Sequence, residues 1–397
     1  MFRHLLKLIW KRKGRNLMLS LEILIAFVIV FAIAAFSLRS YQLYQLPTGF
    51  DSDDVWAVSI GNAGTWGSAL PAGSYDRLKQ GVLAVPGARQ VAFVSSSPYE
   101  DSNFSTSFTL ENGRKVRTEI VHASDDFLAL LKIKVIQGRA FGPVDDGAAA
   151  APVVINRRLA MDMFGSTDVI GKQFDASKRG SKGDLRRVVG VIEDYRKKGE
   201  LDTPQNVTIM RHAREAEEDP RAILIKMAPN TPRAFEETLS RQLKLINNQW
   251  SYQIEPLAAA RTSAMKSRMT PLIILSIVAA FLLLMVAFGL FGVLWQNTTR
   301  RVPEIGLRRA IGANAGDIYR QIIAEQFLLS SVAMLVALLL LVQLPLTGAL
   351  GEMLNWTVFL SASAVSMAAI YLLSLLCSVY PGWRASRLSP TEALHYE

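Results

Sequence analysis

The 397-residue chain is half hydrophobic, carries a formal net charge of +10 and contains one cysteine. A single cysteine excludes a domain held together by disulfide bonds, so any folded part needs an ordinary apolar core, which this length allows. By length the chain can form two or three folding units. A positive net charge is typical of nucleic-acid-binding proteins, but the distribution of the basic residues argues against that function.

Four stretches of the sequence are almost purely apolar. Each is long enough as a helix, at ~1.5 Å per residue, to cross the roughly 30 Å hydrocarbon core of a bilayer, so we predict four transmembrane helices. They are residues 16–38, 271–295, 327–350 and 356–380. The alternative for the first stretch is a cleaved signal peptide. A retained anchor is favoured because the run exceeds the roughly 7–15 apolar residues of a signal peptide and no small-residue cleavage site precedes Arg39.

Basic residues lie at one set of membrane ends and are absent from the turn 347–355. They are Arg3, Lys7, Lys11, Arg12, Lys13 and Arg15 before the first span, Arg300, Arg301, Arg308 and Arg309 after the second, and Arg384 and Arg387 after the fourth. The positive-inside rule therefore places both termini and the second loop in the cytoplasm, and residues 39–268 outside. Because these clusters account for much of the positive charge, we expect no nucleic-acid partner.

Helical patterns also occur next to the predicted spans. The first continues outward until Pro47, and residues 256–269 lead into the second, so both spans are predicted to extend into a stalk beneath the external domain. Before the first span, apolar and basic residues between Phe2 and Arg15 alternate at helical spacing. This pattern predicts a short amphipathic helix along the inner leaflet, in contact with membrane lipid.

The external segment alternates strand and helix patterns, which predicts a large α+β domain inserted between the first two membrane helices. The order of elements allows two lobes, with residues 123–146 as a connecting region. Asn112-Gly113 predicts a β-hairpin turn. Thr231 and Pro232 predict the N-cap and first residue of a helix. Residues 151–165 predict a strand followed by a helix, and the other strand predictions are 55–60, 90–96, 106–124 (a hairpin), 172–176, 186–195, 222–228 and 251–257.

The sequence carries little catalytic chemistry. No G-x-x-x-x-G-K-[ST] phosphate loop occurs, and the four histidines are scattered and belong to no metal-binding motif. We therefore predict a non-catalytic chain with no catalytic, cofactor or metal site. Glu22 is the main formal charge within the apolar runs and is a candidate intramembrane polar site. It lies about 9 Å along the helix from Asn16, which favours an interfacial role over a proton-coupling site.

A charged, glycine-punctuated segment, RRVPEIGLRRAIGAN (300–314), separates the second and third apolar runs. Pro303 suits the first turn of a helix, and Glu304 complements its positive end. Gly312 can end the helix, and Asn314 or Asp317 can cap the next one. The segment therefore predicts a helix of about two turns, with Ile305, Leu307 and Ile311 as its apolar residues. Such a helix can dock into a soluble partner or face lipid headgroups.

The same segment resembles the coupling-helix signature of the MacB/FtsX-type permeases, the type VII ABC transporter superfamily. The matching residues are Arg301, Glu304, Ile305, Gly306, Leu307, Arg308, Arg309, Ala310, Ile311, Gly312 and Ala313. The tail from Tyr380 to Glu397 resembles the end of that family, and residues 153–174 followed by 186–195 are similar to its periplasmic core domain. Val302-Pro303 departs from the polar or basic residues usual in the family.

The resemblance implies an inner-membrane permease subunit of a bacterium that couples ATP hydrolysis to movement of its periplasmic domain. It implies an ATPase dimer carrying ATP and Mg, and a second permease chain, identical or paralogous. About fifteen residues precede the first span, so we expect the ATPase on a separate chain. Export of a peptide, toxin, siderophore or drug with a periplasmic adaptor and an outer-membrane channel is the leading hypothesis. There are two alternatives. One is a permease that releases lipoproteins, and the other is a non-transporting FtsX-like scaffold that activates a cell-wall hydrolase.

The predicted organisation follows from the spans and the resemblance together. Its parts are an N-terminal helix (1–15), the first span with its stalk (16–46), the periplasmic domain (47–257), the second stalk and span (258–296), the coupling-helix loop (297–318), the third span (319–350), the fourth span (356–380) and the tail (381–397).

Overall fold

The structure is a computed structural model that describes residues 13–61, 74–102, 104–110, 113–176, 184–211, 222–248 and 250–387, with side chains from residue 17 onward. The predicted amphipathic helix before the first span lies almost wholly outside these ranges, as does the end of the tail. The chain divides into two compact units. We call Leu43–Arg268 the sheet unit, and the residues on either side of it the helical unit.

The described helices and strands are numbered in chain order. The helices are α1 (Lys13–Tyr44), α2 (Ser74–Leu83), α3 (Phe127–Leu130), α4 (Arg157–Phe164), α5 (Phe235–Ile246), α6 (Leu257–Arg300), α7 (Val302–Ala310), α8 (Ala315–Leu341), α9 (Gln343–Thr347) and α10 (Trp356–Ser386). The strands are β1 (Val55–Gly61), β2 (Ala88–Val94), β3 (Ser105–Thr109), β4 (Lys115–Ala123), β5 (Val135–Gly138), β6 (Ala151–Asn156), β7 (Gln173–Asp175), β8 (Leu185–Ile192), β9 (Val207–Arg211), β10 (Ala222–Met227) and β11 (Ser251–Pro256).

Among the described residues, four helical segments are long and apolar enough to cross a membrane: α1, α6, α8 with α9, and α10. The four predicted spans are therefore confirmed. The predicted helical extensions are also present, because α1 continues to Tyr44 and α6 begins at Leu257. With 44 residues, α6 is about 66 Å long, roughly twice the thickness of a hydrocarbon core.

Two membrane helices end at other residues than the apolar pattern indicates. The third ends at Leu341 and is followed by the short α9, which stops at Gly348 with a positive φ of 64°. The fourth continues past Tyr380 through Pro381 to Ser386. Pro381, Gly382, Ala385 and Ser386 of this extension are buried, and a Cβ at Gly382 would lie 3.0 Å from the Tyr319 ring of α8. Packing against α8 thus extends α10 beyond the apolar run.

The helical unit has a large apolar core, which contains a row of buried polar side chains between α8 and α10. Phe31 of α1 meets Phe359 of α10 edge to face, with ring centroids 5.4 Å apart. Ser330 and Ser374 are fully buried and share a hydrogen bond of 2.8 Å. Hydroxyl pairs of this kind satisfy polar groups across helices where water is absent.

The sheet unit contains one mixed sheet in the order β11-β1-β10-β2-β4-β9-β6-β8-β5, with β3 beside β4 and β7 beside β8. Only β4–β9 and β6–β8 are parallel among these pairs. At its middle the sheet is joined by a single residue pair, Val94 with Ala123. The sheet therefore has two halves, one on each side of the β2–β4 pairing.

Three apolar clusters hold this sheet. In the first half, alternate residues of β1, β2 and β10 point to opposite faces, as the pleat requires. One face is covered by α2 and α5, which bury Leu78 and Leu239 against it. The other contains Phe127 and Leu257. In the second half, Leu159 of α4 packs on β6, β8 and β9.

All the strands predicted from alternation are present, and the predicted hairpin is formed by β3 and β4. Gly113 in its turn has a φ of 78°, whereas Asn112 lies outside the described residues. Residues 123–146, predicted as a connecting region, contain secondary structure of their own. This segment contains α3 and β5, because Phe127 is buried in the core and β5 pairs with β8.

The predicted cap of α5 is wrong. The helix begins at Phe235, and Thr231 does not cap it, because its hydroxyl donates to the Ala228 carbonyl at 2.6 Å. Helix α2 and strand β9 are further elements that the sequence patterns did not predict.

Candidate docking helix

The segment between the second and third spans forms the predicted short helix. In α7, Pro303 occupies the first turn, where its missing N–H costs no hydrogen bond. Gly312 has a φ of 103°, a conformation that ends helices and that other residues rarely adopt. Asn314 is the N-cap of α8, although its side chain makes no capping hydrogen bond. Local chemistry therefore sets both ends of α7.

One side of α7 packs against the helical unit. Val302, Ile305 and Gly306 are buried, and Ile305 lies in a small cluster with Ile318 of α8 and Ala385 of α10. The extended end of α10 supplies Ala385, so the tail sequence takes part in holding α7. This packing fixes which face of the short helix is turned outward.

The opposite side of α7 is exposed and apolar. Leu307 is 57% exposed and Ile311 is 79% exposed. Pro303 and Ala310 are exposed on the same helix. Positions 303, 307, 310 and 311 follow helical spacing, so they share one face. Exposed leucine and isoleucine in such a patch are typical of a surface that contacts a partner or lipid.

The charged residues of the segment are engaged in a network with α8. Arg301 pairs with Glu325 at 2.6 Å, and both side chains are mostly buried. Gln321 donates to Glu325 at 3.0 Å and accepts from Arg308 at 2.8 Å. The second arm of Arg308 reaches Glu304 within α7 at 2.7 Å. The network fixes α7 to the first turns of α8.

Arg309 completes the attachment by donating to the Ser386 carbonyl at 3.0 Å. Ser386 is the last residue of α10, where carbonyls lack helical partners and attract a positive charge. The arginines of the segment thus hold α7 against two helices. Only Glu304 and Arg308 combine such a contact with substantial exposure.

The residues predicted for coupling to an ATPase are Arg301, the N-cap of α7, and residues of α7 and the turn that follows it. Leu307, Ala310 and Gly312 are exposed, Arg308, Arg309 and Ala313 are half-buried, and Ile305 and Gly306 are buried. Sequence reasoning did not identify Gln321, Glu325 and Ser386, which hold the segment in place. A glutamine and a glutamate spaced i, i+4 at the start of an apolar helix are a signal that could have found the first two.

Glu22, the candidate intramembrane polar site, lies on α1 and contacts a different helix. A Cβ built at Gly289 of α6 would overlap the Glu22 carboxylate, so the missing side chain leaves room for it. The structure therefore places Glu22 at an α1–α6 contact and does not bring it into the α7 network. Among the described residues, no group of three or more His, Cys, Asp or Glu side chains could hold a metal ion.

An aromatic cluster lies at the ends of α6 and α10. Trp295 and Tyr380 stack with centroids 5.8 Å apart, and Trp383 follows at 6.4 Å from Tyr380. Arg384 lies 4.5 Å from the Trp295 ring, and Arg387 lies 4.4 Å from the Trp383 ring. Tryptophan, tyrosine and arginine in such a cluster are typical of a membrane–water interface.

The architecture defines a multi-pass membrane protein with an extracellular α/β domain between its first two membrane helices. Residues 17–241 match the MacB-like periplasmic core domain family, and residues 276–390 match the FtsX-like permease C-terminal family. The chain therefore belongs to the MacB/FtsX-type permeases, the ABC transporter permeases that combine these two parts.

Similar proteins include two fusions of an ATP-binding part with a permease. One is the pyoverdine export ATP-binding/permease protein PvdT of Pseudomonas savastanoi pv. phaseolicola, 28% identical over 280 residues, which are 68% of this chain and 42% of that protein. The other is the macrolide export ATP-binding/permease protein MacB of Bdellovibrio bacteriovorus, 26% identical over 275 residues, 66% of this chain and 41% of that protein. The chain thus spans less than half the length of these relatives.

Among solved structures, the periplasmic region of MacB from Actinobacillus actinomycetemcomitans aligns with a TM-score of 0.39 and 13% identity. The alignment covers 56% of this chain and 97% of that structure.

Proposed function

We propose that this chain is the permease subunit of a bacterial ABC-type exporter that works by mechanotransmission. ATP and Mg are bound by a dimer of ATPase subunits on the cytoplasmic side, and two permease chains pass the resulting movement to their periplasmic domains. The membrane is the cytoplasmic (inner) membrane, with both termini inside and Leu43–Arg268 in the periplasm. Family membership and the basic clusters at one set of membrane ends support this arrangement.

The observation that carries the proposal is the exposed apolar face of α7. A helix held by buried packing and ion pairs on one side keeps its other side in a fixed position, ready for a groove on a partner. Covering one large aliphatic side chain stabilises a contact by about 1.5–3 kcal/mol. Leu307 and Ile311 together therefore offer the central part of a docking surface for the ATPase.

Coupling requires that the two states of the ATPase dimer interact differently with the permease. Because α7 is attached to both α8 and α10, a displacement of α7 would move two membrane helices at once. Through this linkage, movement caused by ATP binding can reach the membrane helices. No path for a solute through these helices is required.

The transported substrate belongs to the export class of the relatives, which are named for pyoverdine and macrolide export. We propose efflux of a siderophore, peptide, toxin or drug through an adaptor and an outer-membrane channel. Affinity purification of the chain from its native membrane, followed by mass spectrometry, tests this assignment. An ATPase with an adaptor is the expected result, whereas an ATPase with a cell-wall hydrolase would favour the scaffold alternative.

The docking surface has its own test. Leu307→Ser and Ile311→Ser remove apolar area from exposed positions, so they should leave folding intact and reduce recovery of the ATPase subunit. Met353→Ser, at a residue 50% exposed in the turn between α8 and α10, is the matched control and should retain the ATPase. If the α7 variants bind the ATPase as the native chain does, α7 is a lipid-facing interfacial helix and the docking assignment is wrong.

Two further substitutions act on the same helix by different means. Glu304→Lys should weaken docking by placing a positive charge beside Arg308, its partner at 2.7 Å. Gly306→Trp must displace α7, because Gly306 is buried against the helical unit. The serine variants therefore report on docking more directly than Gly306→Trp does.

A further inference from the structure

A buried arginine in the sheet unit connects the end of the first membrane helix to a distant loop. Arg196 is 1% exposed and lies 150 residues after Leu46, in the segment that follows that helix. Its guanidinium donates through Nη1 to the carbonyls of Leu43, Glu200 and Asp202 (all 3.0 Å), through Nη2 to that of Leu46 (2.6 Å) and through Nε to that of Pro47 (3.1 Å). Its backbone N–H adds a bond to Thr48 at 2.9 Å.

The chemistry of these acceptors explains why the residue is an arginine. The last carbonyls of a helix have no partner within it and attract a positive charge, and Leu43 lies in the last turn of α1. Only the planar fork of arginine offers five N–H donors in fixed directions, enough to reach the helix end and the loop together. Gly49 closes the contact, because a Cβ there would overlap the Asp194 carbonyl oxygen.

The same loop, residues 196–202, is also attached to the start of α6. Glu200 pairs with Arg261 at 2.5 Å, and Asp202 lies 4.0 Å from Arg268. Both arginines belong to the first three turns or so of α6, before its apolar run. The 196–202 loop therefore contacts the chain leaving α1 and the chain entering α6.

A third set of contacts connects the loop to the middle of the sheet. Lys197 is 1% exposed and lies 3.0 Å from Glu119 of β4, whose side chain is 5% exposed. Its ammonium also donates to the Ser102 carbonyl at 2.7 Å. Strand β4 carries Ala123, the residue that joins the two halves of the sheet through Val94. The loop thus reaches the strand on which the two halves meet.

We propose that Arg196 is the positioning residue that transmits movement of the first membrane helix to the periplasmic domain. A displacement of the end of α1 pulls on the guanidinium, which moves the 196–202 loop, and Lys197 passes the displacement to β4 at the joint between the sheet halves. This inference rests on the proposed function, since it assigns to named contacts the step between membrane helices and domain. It predicts that the relative position of the sheet halves depends on ATP through Arg196.

The test uses the full chain in its complex with the ATPase, reconstituted in lipid nanodiscs. Spin labels are attached to Leu245→Cys on α5 and Met161→Cys on α4, which are exposed and lie on different halves of the sheet, with Cys377→Ser as background. The distance between the labels is measured by pulsed dipolar spectroscopy, without nucleotide and after trapping with ATP and vanadate. ATP hydrolysis is measured on the same samples.

Arg196→Lys keeps the charge but loses the planar fork, so the ATP-dependent distance change should fall to less than about a third while ATP hydrolysis continues. Arg211→Lys is the matched control, because the Arg211 side chain is also only 10% exposed in the sheet unit but pairs with Asp125 and Asp146. It should keep the full change. A native distance change in Arg196→Lys, or an equal loss in Arg211→Lys, would overturn the inference.

Hydrogen exchange in the native chain provides a second measurement that needs no variant. Trapping with ATP and vanadate should change the protection of residues 43–48 and 194–202 together. A change in the first segment alone would refute transmission through Arg196, even if Arg196→Lys failed to fold. If the native complex contained no ATPase, the proposed function would fail and this inference with it. If the complex contains the ATPase but the protection of residues 43–48 and 194–202 does not change together, only the role of Arg196 is contradicted.

Discussion

Arginines hold α7 at one place in the chain and the 196–202 loop at another, but their chemistry differs. At α7, Arg301 and Arg308 pair with carboxylate side chains, and the Arg308–Glu304 pair is 40% and 49% exposed. In the loop, Arg196 is 1% exposed and binds backbone carbonyls. Exposed ion pairs contribute little to the free energy of unfolding and are screened by salt. Leaving a buried hydrogen-bonding group without its partner lowers that free energy much more. The first arrangement leaves charged groups at the surface, as the proposed docking of a partner requires, and the second forms a buried connection within the sheet unit.

Removing the buried guanidinium of Arg196 is the strongest test of the difference between α7 and the 196–202 loop. Arg196→Met leaves the carbonyls of Leu43, Leu46 and Pro47 without their donor, so the sheet unit should lose about 3–5 kcal/mol of unfolding free energy. Pulse proteolysis in urea, applied to the full chain in detergent, measures this loss. A change below about 1 kcal/mol would show that water or neighbouring groups replace the arginine, and that the connection is not rigid.

The next largest effect is expected at the Lys197–Glu119 pair. Lys197→Met leaves a buried carboxylate without its cation, which should cost about 3 kcal/mol. The double variant Lys197→Met, Glu119→Gln should recover part of this loss, because the unpaired charge is then also removed. Urea midpoints of the four chains form a double-mutant cycle. Strict additivity would mean that the two side chains do not interact and that the loop is not linked to β4 through them.

A smaller effect is expected from the pH dependence of Asp202. Burial raises the pKa of this carboxyl, and the positive charge of Arg268 opposes the rise. The folded state therefore favours the protonated form, so this group stabilises the fold at low pH and the contribution is lost as pH rises through the raised pKa. As the pH is lowered from about 7.5 to about 4.5, the free energy of unfolding of the native chain should therefore increase relative to that of Asp202→Asn. Thermal midpoints of both chains give the difference, and an unchanged difference would contradict the burial of an ionisable Asp202.

The smallest effect is expected in α7. Arg308→Gln removes an exposed i, i+4 pair with Glu304 and a hydrogen bond to Gln321, so the expected loss is about 1 kcal/mol. The loss should shrink further when NaCl is raised from about 0.05 M to about 0.5 M, because exposed charges are screened. Thermal midpoints at the two salt concentrations measure it. A loss as large as that of Arg196→Met would remove the distinction between the two regions.

Helix α7 could be predicted closely because its determinants are local. Pro303, Glu304 and Gly312 set the ends of α7 by rules that act within a few residues, and the structure has the helix at Val302–Ala310. The orientation of the helix could not be predicted in the same way. Ile305 is buried and Ile311 is exposed because Ile318 and Ala385, from other parts of the chain, cover one side only.

By itself, the sequence determined the four membrane spans, the long helical extensions and the alternating strands, because hydrophobic length and periodicity act through the solvent and need no distant partner. Tertiary structure alone decided the pairing of β5 with β8, the burial of Phe127 and the continuation of α10 to Ser386. Tertiary structure alone also decided which carbonyls accept from Arg196. Those of Leu43, Leu46 and Pro47 lie about 150 positions away in the chain. Backbone carbonyls carry no sequence signature, so such a contact exists only once the chain has folded.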